Sequence, residues 1–110
     1  MIDLKPDDRV LILSITGLEF LSDLAGRLPD GVIVGIGTPG EVAAARRALA
    51  HAENVMFHCA SPEEIPWRDA YFTVVLSPPP ASPLAENEIR RVLAPGGALR
   101  LLNGGLQNDT

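Results

Sequence analysis

The sequence predicts an α/β fold built on a parallel sheet, and three observations point there. Apolar runs of strand length alternate with segments of helical periodicity; the runs are apolar throughout rather than at every second residue; and the junctions between them carry turn or capping residues. An apolar run of that kind reads as a strand covered on both faces, and strict alternation places a helix between successive parallel strands, joined by right-handed crossovers.

Val10 to Ile15 forms the first strand. Leu18, Leu21, Ala25 and Leu28 then recur at helical spacing, Leu24 widens the stripe, and Pro29-Asp30-Gly31 ends the helix. Val32 to Ile36 is the second strand. A helix follows from Thr38-Pro39-Gly40-Glu41 to about Ala50, then strands at Asn54 to Phe57 and Tyr71 to Leu76. After the Pro-rich turn Ser77 to Pro80, a helix runs from Ser82-Pro83 to Leu93, Pro95-Gly96-Gly97 stops it, and Ala98 to Leu102 forms the fifth strand.

Thr16-x-x-Glu19, Thr38-Pro39-x-Glu41 and Ser61-Pro62-x-Glu64 each match a capping box, and the last two add Pro at the first helical position. The hydroxyl accepts a bond from an unpaired helical N–H while the Glu reaches back and sits at the positive end of the helix dipole. This spacing explains Glu19, Glu41 and Glu64 as caps rather than catalytic acids.

A chain of 110 residues has room for one domain, residues 1–110 with a core over about 8–103. At 46% hydrophobic and 21% charged residues it has a globular composition, and with few aromatics the core must be Leu, Val, Ile and Ala. A net charge of −5 argues against nucleic acid as partner, because phosphate binding draws on clustered Lys and Arg; a small molecule or a protein is expected instead. The only cysteine, Cys59, has no intramolecular disulfide partner, and no apolar stretch reaches the roughly 20 residues that span a bilayer, so a cytoplasmic location without membrane attachment is expected. His51, His58 and Cys59 lack metal-ligand spacing, and Arg46, Arg47, Arg90 and Arg91 read as solvated helix faces.

Several stretches in order resemble the class I S-adenosylmethionine-dependent methyltransferases, the type 11 group in particular. Glu88-Ile89-Arg90-Arg91-Val92-Leu93-Ala94-Pro95-Gly96-Gly97-Ala98-Leu99 is similar to the family's E-x-x-R-V-L-K-P-G-G-x-L, with Ala94 in place of Lys. Asn54-Val55-Met56-Phe57, Pro62-Glu63-Glu64-Ile65-Pro66-Trp67 and Tyr71-Phe72-Thr73-Val74-Val75 resemble N-V-x-F, A-E-E-L-P-F and S-F-D-x-V. The resemblance implies a Rossmann-like three-layer sandwich whose mostly parallel five-stranded sheet has the order 3-2-1-4-5, without the family's last two strands. It implies S-adenosylmethionine as cofactor.

The same resemblance locates the losses. Where the family's first strand ends in D-x-G-x-G-x-G, this chain has Ile12-Leu13-Ser14-Ile15-Thr16-Gly17-Leu18, so that Ser14, Thr16 and Leu18 replace the glycines. Gly37 stands where an acidic residue should meet the ribose, and Ser61 where an Asp should meet the adenine amino group. Ser77-Pro78-Pro79-Pro80 is similar to the (D/N/S)-P-P-(Y/F/W) motif of some members, with Pro80 in place of the aromatic. Candidate cofactor contacts are therefore Ser14, Thr16, Gly17, Gly37, Thr38, Ser61 and Ser77, around the carboxyl ends of the strands, where open α/β sheets bind ligands. Gly35 adds room at the same edge. Two functions follow: a methyltransferase-like domain with weakened or lost cofactor binding and catalysis, or a non-catalytic interaction module. The fifth strand is expected to be a largely apolar edge, which favours a homodimer or another protein partner.

Overall fold

The computed structural model describes residues 4–15, 18–79 and 82–101. The elements run β1 (Arg9–Ile12), α1 (Leu18–Arg27), β2 (Val32–Gly37), α2 (Pro39–Ala48), β3 (Val55–Cys59), β4 (Phe72–Ser77), α3 (Pro83–Val92) and β5 (Leu93–Leu101). All strands pair in parallel in one five-stranded sheet of order β3-β2-β1-β4-β5. The expected fold class and strand order are those observed.

Alternate residues of β1 feed opposite faces of the sheet. Val10 and Ile12 pack with Leu21 and Leu24 of α1 and Val42 and Ala45 of α2. Leu11 and Leu13 pack on the other side with Val34, Val75 and the α3 residues Ile89 and Val92. A central strand clad on both faces needs apolar residues at every position, which is why β1 reads as a continuous run.

Local chemistry sets the ends of the helices. Thr38 caps α2: its Oγ1 accepts from the Glu41 N–H at 3.3 Å, while Glu41 Oε1 accepts from the Thr38 N–H at 2.9 Å, completing the expected box. Ser82 caps α3 by accepting from the Ala85 N–H at 3.2 Å, with Pro83 following. Asn54, just before β3, donates to Ala25 O and Leu28 O at 3.1 and 2.8 Å and so ties the end of α1 to the entry of β3.

Several elements differ from expectation. Ser61-Pro62-Glu63-Glu64 forms a turn, not a helix start: Ser61 Oγ accepts from the Glu63 N–H and Ser61 O from the Glu64 N–H. With Pro66 close behind, the chain has no length in which to propagate a helix. The Thr16-x-x-Glu19 box lies partly outside the described residues. β5 begins at Leu93, directly after α3, instead of after Pro95-Gly96-Gly97. Its register slips between the Phe72–Leu93 and Val74–Ala98 pairs. Gly96, at φ 79°, turns the chain within that irregularity in a conformation costly to other residues. β1 ends at Ile12, although the Leu13 N–H still bonds Leu76 O at 2.9 Å.

At the amino edge, buried Asp8 accepts from the Lys5 N–H at 2.7 Å and from Thr73 Oγ1 at 2.8 Å, and the Arg9 N–H donates to Thr73 Oγ1. These bonds tie β1 to β4 at the amino ends, away from the carboxyl edge where a ligand would sit.

Leu11 is fully buried in the central strand. Leu11→Ala should lower unfolding free energy by about 2–5 kcal/mol. Arg47→Ala, on an exposed position of α2, should change it by less than about 0.5 kcal/mol. Urea denaturation followed by circular dichroism measures both.

Candidate functional site

Parallel strands leave their carboxyl ends along one edge, and ligands of open α/β sheets bind there, where strand order reverses. In this sheet the reversal lies between β1, which runs on to β2, and β4, which runs on to β5. A cavity of about 200 Å³ opens at that edge, lined by Leu13 after β1, Ser77 to Pro79 at the end of β4, Ser61 to Glu63 after β3, and Ser82, Ala85 and Ile89 of α3 and its cap. Leu13, Ala85 and Ile89, all buried, give it an apolar side.

The polar groups around the cavity are specifically disposed. Ser77 is 3% exposed and its hydroxyl donates to Pro78 O at 2.6 Å, leaving the oxygen lone pairs as acceptors. Ser61 Oγ accepts from the Glu63 N–H at 3.1 Å, which leaves its own O–H to donate. Ser82 Oγ donates to Glu63 Oε2 at 2.6 Å and so holds that carboxylate at the rim. The arrangement offers a donor, an acceptor and apolar walls, suited to a small ring with polar edges. At about 200 Å³ it is smaller than the roughly 300–1,000 Å³ that encloses a drug-sized molecule, so it has room for only one part of a larger ligand.

Of the expected contacts, the structure brings Ser61 and Ser77 together at this cavity. Gly37 ends β2, and Thr38 is engaged as the α2 cap. Ser14 follows β1 and is half-buried. Thr16 and Gly17 lie outside the described residues. Over Gly37 the space is already occupied: a Cβ there would meet Glu41 Oε1 at 2.7 Å and Ile15 Cδ1 at 3.1 Å. Ile15, 5% exposed, belongs to the α1–α2 side of the core. Neither Ile15 nor Leu13 stands out in the sequence as a site residue, because each reads as one more apolar residue of the first strand.

The turn that carries Ser61 is held by α3. Glu88 Oε1 accepts from the Ile65 N–H at 2.9 Å. Arg91 donates from Nε to Glu88 Oε2, from Nη2 to Glu88 Oε1 and Ile65 O, and from Nη1 to Trp67 O and Asp69 Oδ1. Arg91 is therefore not a solvated helix residue; it clamps the β3–β4 connection. Arg46 likewise donates to Phe57 O at 2.9 Å on the outer strand β3, whereas Arg90 pairs only with Glu86 one turn away. The Arg91 hydrogen bonds hold the Glu88 carboxyl below its ordinary range, helped by the Ile65 N–H and opposed by burial. Glu88 and Asp69 in turn raise Arg91 above the usual guanidinium range.

Among the described residues, no group of three or more His, Cys, Asp or Glu could hold a metal ion. His58 packs edge-on to Trp67, with ring centroids 5.4 Å apart, and Cys59 is exposed at the end of β3.

The sequence pattern of the methyltransferase domain family matches residues 16–101. The chain belongs to that family. No curated protein matches. Among solved structures, the chain is similar to the cyclase SpnF at 27% identity and TM-score 0.73, covering 87% of this chain and 38% of that one. A SAM-dependent methyltransferase from Aquifex aeolicus shares the fold at 23% identity and TM-score 0.72, covering 84% and 54%. A Haloferax volcanii complex of a methyltransferase activator and a methyltransferase does so at 24% identity and TM-score 0.71, covering 87% and 45%. The chain thus spans 38 to 54% of the length of these structures. In this methyltransferase domain the family-like Glu88-x-x-Arg91 pair works as the clamp of the Ser61–Asp69 segment.

Removing either half of the clamp should leave backbone groups of the connection unpaired. Arg91→Ala should cost about 2–3 kcal/mol in urea denaturation. Because the folded carboxyl of Glu88 is depressed from 4.5, its stabilisation is complete above that pH and is lost as pH falls through the lower folded value. Stability measured from pH 6 to about pH 2 should therefore drop more steeply in the native protein than in Glu88→Gln.

Proposed function

We propose that the chain is a methyltransferase-like domain that binds S-adenosylmethionine along the carboxyl edge of its sheet, less tightly than a domain with an open glycine loop. The observation that carries this reading is the gathering of Ser61 and Ser77 around an apolar cavity where the strand order reverses, in a chain of the methyltransferase domain family.

The residues present fit such a cofactor. Leu13, Ala85 and Ile89 would flank its ring system, and Ser61 and Ser77 would meet the ring's polar edge. The rest of the molecule would follow the edge over β1 and β2, past Ser14, Gly37 and Thr38. Ile15, packed over Gly37, narrows that stretch and accounts for the weaker grip. When bound, the cofactor supplies an electrophilic methyl group on a sulfonium sulfur. The chain's own share is binding and orientation; Glu63, which Ser82 holds at the cavity through Oε2, is the carboxylate among the described residues that line it. One similar structure is named a cyclase, which shows that the fold can carry other chemistry on the same plan.

A second reading, a non-catalytic interaction module, is favoured by the edge strand β5, which leaves Leu99 36% and Leu101 49% exposed. A homodimer through β5 would cover them. Leu101→Lys should then convert a dimer to monomer in size-exclusion chromatography with light scattering.

Calorimetric titration with S-adenosylmethionine and S-adenosylhomocysteine tests the first reading. Saturable binding is expected, reduced roughly tenfold or more by Ser61→Trp, which fills the cavity. No heat at millimolar ligand would sink the cofactor reading and leave the interaction module.

A further inference from the structure

β3 closes one side of the sheet: it pairs with β2 alone, and its other flank faces outward. The Ile33 N–H bonds Asn54 O, and in a parallel ladder successive residues address opposite sides, so Val55 and Phe57 turn their N–H and C=O groups to the open flank. Arg46 answers one of them, its Nη2 donating to Phe57 O at 2.9 Å. That carbonyl keeps a second lone pair, and the Val55 groups and the Phe57 N–H are open to an added strand.

Alongside lies a groove of about 360 Å³ between β3 and the end of α2. Buried Leu49 and Phe57, on the α1–α2 side of the core, form its apolar floor, and Arg46 reaches the edge from α2. The ionisable groups along the groove are Arg46 and His58, with no carboxylate among the described lining residues, and Arg46 makes no ion pair among the described residues. Phe57 O uses one of the five N–H groups of the guanidinium, which leaves the others to a carboxylate. The chain as a whole carries a net charge of −5, so an acidic ligand is repelled by the protein at large and attracted here. A second copy joined through β3 would instead set two Arg46 side chains along one seam, which their like charge opposes.

We propose that the β3 edge is a docking surface for an extended acidic segment of a partner protein, which adds to the sheet beside β3, lays an apolar side chain on Leu49 and Phe57 and places a carboxylate on Arg46. Main-chain bonds to Val55 and Phe57 give affinity. Selection comes from two side chains two positions apart, which fall on one face of a strand: an apolar one for the groove and an acidic one for Arg46. The surface is separate from the cavity between β1 and β4 and from the β5 edge, so it depends on neither reading above.

The test is a nuclear magnetic resonance titration of the isotope-labelled protein with a seven-residue threonine peptide, acetylated and amidated, that carries valine at its third position and glutamate at its fifth. Saturable shifts centred on the Val55 and Phe57 amides are expected, with binding roughly tenfold weaker when glutamine replaces the glutamate or when the glutamate moves to the fourth position, on the other face. Arg46→Gln keeps a donor for Phe57 O, so its melting temperature should stay within a few degrees of the native value while the preference for glutamate over glutamine disappears. Absence of saturable binding at millimolar peptide, equal binding of the glutamate and glutamine peptides, or shifts centred on Leu99 to Leu101 would each overturn the proposal. So would shifts of the Val55 and Phe57 amides on raising protein concentration without peptide, because a second copy would then be the occupant.

Discussion

The position of the β3–β4 connection depends on the ion pair between Glu88 and Arg91. This segment carries no helix among the described residues, so it lacks the internal hydrogen bonds that make other crossovers self-supporting. Its backbone is satisfied from outside instead: α3 offers Glu88 to the Ile65 N–H and Arg91 to the carbonyls of Ile65 and Trp67. Charge-assisted bonds suit the task, being stronger than neutral ones and fixed in direction by the planar guanidinium. Ile65, buried beneath the clamp, and Trp67, packed against Phe72 and Tyr71, then seal that face of the sheet.

The clamp also has a consequence at the carboxyl edge. Ser61 to Glu63 reach the cavity only because the chain that follows them is held down on α3, and Ser82, at the start of the same helix, grips Glu63. One short helix thus anchors both the floor and the rim of the cavity. The stretch over β2 is arranged differently, by packing and a cap, with Ile15 and the Glu41 carboxylate filling the space that a side chain at position 37 would need. The edge is therefore open between β1 and β4 and filled at β2.

Much of the fold was legible residue by residue. The apolar run at Val10 to Leu13 marks a strand buried on both faces, because its short length and β-branched residues suit a strand and a central strand clad on both sides needs an apolar residue at every position. Thr38-Pro39-x-Glu41 marks a helix start because the bonds that make it are local. The similar pattern at Ser61-Pro62-x-Glu64 misleads for a physical reason: a cap stabilises a helix that the following residues can propagate, and Pro66 prevents that. The site was legible only in part. Ser61 and Ser77 were identifiable as hydroxyls near strand ends, but Leu13 and Ile15 were not, since an apolar strand residue looks complete in itself.

The sequence by itself determined the alternation of elements, the two-sided burial of the central strands and the caps of α2 and α3, all governed by periodicity or by bonds within a few residues. It also determined kinship with the methyltransferase domain family, through motifs that are contiguous in the chain. Only the tertiary structure decided that Arg91 faces inward to hold residues more than twenty positions away, that Ser61 and Ser77 share one cavity, and that Ile15 packs over Gly37. Such outcomes depend on which surfaces meet across the sheet, and contacts of long sequence separation leave no period or spacing for the linear chain to display.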